Sequence, residues 1–251
     1  MKQRCAMQMF TLRDHTKTDP IGTLRKVADM GWDGAQISAM GGVPDAELAA
    51  ALKDLQLPAV GEHVGLNQML DNFQAVADRA HAIDCTWVFV PALPKERRGD
   101  RDTWMKTADT INDLARRFAK ESLVVGYHNH AFEFEPVGDT CGMEIFLEQL
   151  DPSVVMEIDT YWVQFGGGDP VDYINRLKGR VPVLHLKDMA PGEERRFAEI
   201  GEGILDWPAI LAASEAAGTE WLCVEQDNCY DRDPLDSAKI SLTNLRTQFG
   251  R

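Results

Sequence analysis

The feature that most restricts how this chain can fold is a regular alternation, from one end to the other, of short β-rich runs with longer amphipathic ones. Runs rich in Val, Ile, Leu and aromatic residues at 6–12, 34–38, 59–64, 87–91, 123–130, 154–159, 183–187 and 222–226 read as eight strands. The segments that follow them, at 20–30, 45–55, 68–83, 101–120, 143–150, 170–177, 207–217 and 234–249, repeat apolar residues at helical spacing. Gly31 stands where the first helix should close, and Pro20, Pro170 and Pro208 stand in first helical turns, where a missing N–H costs nothing. A right-handed crossover returns each strand in the direction of the last, so the alternation predicts parallel pairing. Eight such units can close on themselves, and 251 residues is what a (β/α)8 barrel typically needs. An open doubly wound sheet is the rival, but no G-x-G-x-x-G follows the first strand, and the glycine run at 166–168 follows the sixth. No repeat, low-complexity tract or Pro/Ser-rich linker divides the chain. The expected architecture is one α/β domain over residues 1–251, a (β/α)8 TIM barrel.

Charge narrows the partners. With 40 acidic and 26 basic residues the formal net charge is −14, which repels a phosphate backbone and argues against nucleic acid. Five cysteines without C-x-x-C spacing fit a reduced, cytoplasmic chain. Lys2 and Arg4 lead straight into polar Gln8, Thr11 and Arg13, and no stretch approaches 18 apolar residues, so neither a signal peptide nor a membrane partner is expected.

In such barrels the chemistry comes from the C-terminal ends of the strands. Here those ends read Gly61-Glu62-His63, Tyr127-His128-Asn129-His130 with Ala131-Phe132-Glu133-Phe134 beyond, Glu157-Ile158-Asp159, His185-Leu186-Lys187-Asp188 and Val224-Glu225-Gln226-Asp227. Side chains alternate along a strand, so His128 shares a direction with His130, Glu157 with Asp159 and His185 with Lys187. Taken singly, a strand-end histidine more often bonds a backbone carbonyl, and a strand-end carboxylate more often caps a helix. Taken together, so many desolvated charges are costly unless they pair or bind a cation. Glu133, Asp159, His185 and Glu225 would offer three carboxylates and one imidazole. That set suits manganese first, then magnesium, cobalt or zinc, and does not suit a thiolate site.

Over essentially its whole length the chain resembles the xylose-isomerase-like TIM barrel superfamily, in particular its sugar phosphate isomerase/epimerase and inosose dehydratase group. The resemblance rests on Gln8-Met9-Phe10-Thr11-Leu12-Arg13-Asp14, on the segment from Tyr127 to Phe134, on Asp159-Thr160-Tyr161-Trp162, on His185-Leu186-Lys187-Asp188 and on Gly201-Glu202-Gly203-Ile204-Leu205-Asp206-Trp207. It implies a divalent metal held by a Glu, an Asp, a His and a second Glu. The last three fall on Asp159, His185 and Glu225. The first falls on Glu133, three residues beyond the second histidine of His-Asn-His, with His128 as the reserve ligand.

The chemistry this implies is removal of a proton from the carbon beside a carbonyl of a small sugar, polyol or keto-sugar, giving an enediolate. His130 is the expected base and Lys187 the group that polarises an oxygen or returns a proton. His63 and His128 would contact hydroxyls, Glu157 would orient a ligand from behind, and Trp162 or Phe10 would stack on a sugar face. An isomerase or epimerase ranks first, and a dehydratase or lyase acting on an inosose or 3-keto-sugar by β-elimination second. An abasic-site endonuclease and a non-catalytic sugar-binding barrel rank below both. The relatives' habits point to a homodimer or tetramer.

Overall fold

A computed structural model describes residues 3–251; Lys2, part of the N-terminal reading above, lies outside them. The eight strands are β1 (Arg4–Gln8), β2 (Gly34–Ile37), β3 (Ala59–His63), β4 (Trp87–Val90), β5 (Val124–His128), β6 (Val155–Glu157), β7 (Val183–Leu186) and β8 (Trp221–Val224). All neighbours pair in parallel, in the order β6-β5-β4-β3-β2-β1-β8-β7. The remaining seam, between β6 and β7, is closed by a parallel bridge from Asp159 to His185 and by the His185 N–H donating to Ile158 O. The sheet is thus a barrel, sewn most lightly at the point where two candidate site residues meet.

Helices α1 (Pro20–Met30), α2 (Asp45–Asp54), α3 (Phe73–Ala82), α4 (Arg101–Lys120), α5 (Gly142–Gln149), α6 (Pro170–Arg176), α7 (Trp207–Ala217) and α8 (Pro234–Phe249) form the outer ring. Asp19, Asp169, Asp206 and Asp233 each accept a backbone N–H at the start of α1, α6, α7 and α8, with a proline in the first turn. Gly31 ends α1 at φ +91°, as expected of a left-handed cap. No helix is long and apolar enough to cross a membrane among the described residues.

Several boundaries differ from the sequence reading. The run at 6–12 is strand only to Gln8; the Gln8 side chain then accepts from the Phe10 N–H and turns Met9–Leu12 into a 3-10 turn. The helix expected at 68–83 is two, Leu66–Asp71 and α3, broken at Asn72 (φ −128°). Two small hairpins (Pro136–Val137 with Thr140–Cys141, and Asp188–Met189 with Phe197–Ala198) and a helix at Thr160–Phe165 occupy loops that carry no periodic signal.

Inside the barrel, Ala6, Val60, Phe89, Val183, Trp221 and Cys223 form an apolar plug separate from the core under the helices. Large and small residues interlock there. Phe89 lies so close to Gly61 and Gly126 that a Cβ on either would come within 2.8 Å and 2.3 Å of its ring. Gly61 (φ +120°) also marks a bulge: Ala35 pairs with Ala59, but Ile37 pairs with Glu62, so β3 spends one extra residue. The bulge reverses the alternation. Val60 joins the plug and His63 turns inward above it, whereas Glu62 turns outward to an ion pair with Arg79 on α3.

Candidate metal and substrate site

Above the apolar plug the barrel is filled by polar side chains that are almost all buried. At the base, Gln36 accepts from Gln8 Nε2 and from His185 Nε2 (2.6 Å), and donates to Glu157. The other Glu157 oxygen lies 2.6 Å from His63 Nε2 and 3.2 Å from His185 Nε2. Burial by itself would raise the Glu157 carboxyl, but His185 and His63 beside it hold it below the ordinary range, so it is ionised.

One layer higher, His128, Asp159, His185 and Glu225 each present a ligand atom within 4.8 Å of the other three, and all four are buried. The hydrogen bonds behind them fix which nitrogens face the centre. His128 Nδ1 donates to Pro91 O (2.9 Å), which leaves the Nε2 lone pair 3.2 Å from Asp159 Oδ2. His185 Nε2 faces only acceptors, Gln36 Oε1 and Glu157 Oε2, and so carries the proton. Its Nδ1 is buried without a hydrogen-bond partner; Glu225 Oε2 lies 3.2 Å away but out of hydrogen-bond alignment. A buried imidazole nitrogen without a hydrogen-bond partner, set among two carboxylates and a second imidazole, is what a single cation would satisfy.

Lys187 adds a positive charge to the same layer. Its Nζ lies 3.1 Å from Asp159 Oδ2, 2.7 Å from Glu225 Oε2 and 2.8 Å from Asp227 Oδ2. Burial opposes the charge, yet these three carboxylates hold the ammonium well above its usual range. Conversely, burial would raise Asp159 and Glu225, but Lys187, His128 and His185 together outweigh it and keep both ionised. Asp227 stays raised, chiefly by burial. A cavity of about 410 Å³ opens above this layer, lined by Phe10, Ser38, His63, His128, His130, Glu225 and Asp227 among others.

His130 lies beside the cluster, its ring 5.0 Å from that of His128 and 5.3 Å from Trp162. Its Nδ1 is buried and unpartnered. Burial first, then His128 and Lys187, push the imidazole down to about 2, so it is uncharged. Phe10 is 37% exposed on the cavity rim under the Arg13 guanidinium, and Trp162 packs edge-on against Tyr161 and Phe197 with Lys187 Nζ 5.5 Å from its ring centre.

Glu133 is placed differently from the sequence reading. It is fully buried, but its oxygens are taken by the Tyr127 hydroxyl (2.6 Å) and the His130 N–H (2.9 Å). The 3-10 turn Phe132–Phe134 folds it back under the strand end, away from the other three ligands, and His128 stands in the fourth position. Sequence reasoning also passed over Gln8, Gln36 and Asn129. Asn129 Oδ1 accepts the Asp159 N–H (3.0 Å) and so pins that strand end. The signal for the two glutamines is a polar residue inside an otherwise apolar strand, where burial demands a partner.

The motif pair His185-Leu186-Lys187-Asp188 and Gly201 to Trp207 proves to be one device. Asp188 Oδ2 accepts from Gly201 N (2.9 Å), Gly203 N (3.0 Å) and Trp207 Nε1 (2.6 Å), and Oδ1 accepts from Met189 N (2.8 Å) and Leu205 N (3.3 Å). Gly203 is required because a Cβ there would lie 2.2 Å from Asp188 Oδ1. The loop after β7 is thereby folded onto the carboxylate next to Lys187.

Residues 24–248 match the family model described as xylose isomerase-like TIM barrel. The chain belongs to that family. An inosose dehydratase of Geobacillus kaustophilus is 23% identical over 201 residues, 71% of this chain and 64% of that enzyme, so the chain spans somewhat under two thirds of this curated relative. A sugar phosphate isomerase/epimerase from Parabacteroides distasonis superposes with a TM-score of 0.85 at 25% identity, covering 98% of each chain. The IOLI protein, whose crystal structure holds a zinc atom, superposes at 0.77 with 13% identity over 97% of each chain, a likeness of fold. Its relatives thus include enzymes named as an inosose dehydratase and a sugar phosphate isomerase/epimerase.

Proposed function

We propose that this protein is a divalent-metal-dependent isomerase or epimerase that moves a proton at the carbon beside the carbonyl of a sugar or polyol ketone. The observation that carries the reading is the convergence of His128, Asp159, His185 and Glu225 within one buried cluster, where His185 Nδ1 has no hydrogen-bond partner. These four residues would hold the ion, manganese by preference for a mixed imidazole and carboxylate set. When bound, the ion supplies Lewis-acid stabilisation of charge developing on the substrate oxygens.

The chain's own residues do the rest. His130, uncharged and on the cavity wall beside His128, is the residue placed to take the proton. Lys187 keeps its proton and, anchored to Asp227, stands as the acid that returns one. His63, on the cavity wall and held by Glu157, orients a hydroxyl. Phe10 offers an apolar face at the rim, and Trp162 backs His130.

The names of the curated relatives favour a second reading, a lyase that expels a β-hydroxyl. The same base would start that reaction, and Lys187 would protonate the departing oxygen.

Elemental analysis of purified protein tests the metal. About one divalent ion per chain is expected, largely lost in Asp159→Asn and Glu225→Gln and retained in Glu133→Gln. Keto-sugars and inososes incubated in D₂O should then acquire deuterium beside the carbonyl, with loss of water only if the lyase reading holds. Protein that carries no ion, or no exchange with any ketone, would dispose of the proposal.

A further inference from the structure

The position of Lys187 sets a second property of the cluster, and it rests on the metal reading just given. Asp159 Oδ2 and Glu225 Oε2 belong to two of the four candidate ligands, and the Lys187 ammonium lies 3.1 Å and 2.7 Å from them. A cation bound by His128, Asp159, His185 and Glu225 would draw on the same carboxylates. Like charges at such separations in a buried site repel strongly, so both cannot hold these carboxylates at full strength. The third partner of the ammonium, Asp227 Oδ2 at 2.8 Å, is outside the ligand group, and its side chain is 25% exposed on the cavity wall. We propose that Lys187 competes with the metal for Asp159 and Glu225, and that Asp227 is the carboxylate onto which the ammonium withdraws when the metal binds. Lys187 then lowers metal affinity, and Asp227, a positioning residue acting through Lys187, restores part of it. With Nζ drawn to Asp227, the ammonium stands at the edge of the cavity where a substrate would meet it.

The test is calorimetric titration of Mn²⁺ alone into the chelator-stripped full-length chain. Lys187→Met should bind Mn²⁺ about tenfold more tightly than the parent or better, since a neighbouring positive charge has gone. A side chain that merely held the site together would move affinity the other way when lost. Asp227→Asn should bind several-fold more weakly, because the ammonium has lost its alternative anchor. In the doubly substituted chain the affinity should stay within about twofold of Lys187→Met, because Asp227 acts through the lysine. Lys187→Gln carries the same expectation should Lys187→Met fail to fold, as judged by far-UV circular dichroism. Unchanged or weaker binding on loss of the lysine overturns the proposal, as does an Asp227→Asn penalty that persists without Lys187. A parent chain that takes up no Mn²⁺ removes the metal reading and this inference together, whereas a parent that binds it and a lysine variant that gains nothing removes this inference alone.

Discussion

Gly61 joins the backbone of β3 to the placement of His63, and Gly61→Ala is the substitution that exposes the link. At φ +120° an alanine backbone is in a region that L residues rarely enter, a strain of about 1–3 kcal/mol. The added Cβ would also lie 2.8 Å from Phe89 Cε2 and 3.1 Å from Cδ2. The ring cannot slide away, because its opposite edge already lies against Gly126, where a Cβ would come within 2.3 Å of Cδ1. Overpacking of that kind costs about 1–3 kcal/mol more. Gly61→Ala should therefore lose about 2–6 kcal/mol, a large share of the stability of an ordinary domain. Urea unfolding followed by tryptophan fluorescence reads this as a fall of about 1 M or more in the midpoint. The two contributions separate in Gly61→Ala/Phe89→Leu, which relieves the contact but not the backbone, so about half the loss should remain. If the chain instead relaxed by undoing the bulge, His63 would point away from Glu157 and turnover would fall beyond what stability explains. A loss under 1 kcal/mol, or full recovery in the double variant, would refute the role given to the bulge.

Two further perturbations test neighbouring parts of the same framework. Glu133, pushed up by burial to about 7 from an ordinary value of 4.5, holds a proton in the folded chain that the unfolded chain has released. Its contribution is therefore complete below about 4.5 and is lost as pH rises to about 7, a fall of at most about 3 kcal/mol; Glu133→Gln should flatten the stability profile across that window, and an unchanged slope would contradict the assignment. Asp188→Asn keeps one acceptor oxygen and turns an NH₂ toward groups that now donate to Asp188, leaving at least two backbone N–H groups unsatisfied; a loss of about 2–5 kcal/mol, with faster proteolysis between Gly201 and Trp207, is expected, and a change within about 0.5 kcal/mol, the usual range for an ordinary surface substitution, would argue that water replaces the carboxylate.

Much of this was legible in residue order. A strand is recognised by local composition and a helix by its 3.6-residue period, and both properties survive in a linear string, so the eight units, the proline and glycine punctuation and the strand ends that carry His128, Asp159, His185 and Glu225 could be marked in advance. Strand boundaries were less visible where a side chain decides them, as Gln8 does by capping the turn after β1. Glu133 shows the limit more sharply. Its spacing from His130 is compatible with a ligand, but a 3-10 turn and a hydrogen bond from Tyr127 direct its carboxylate elsewhere.

What the sequence determined by itself is the architecture, because parallel βα units with apolar faces of this length have few ways to bury them. Tertiary structure alone decided the site. Alternation along β3 would put Glu62 inward, and only the bulge at Gly61, where the register against β2 shifts, turns His63 in instead. Asp159 and His185 are 26 positions apart and meet at the last seam of the barrel, while Lys187 reaches three carboxylates from β6 and β8. Such contacts depend on how a sheet closes, a condition that couples every strand at once and leaves no local trace in any of them.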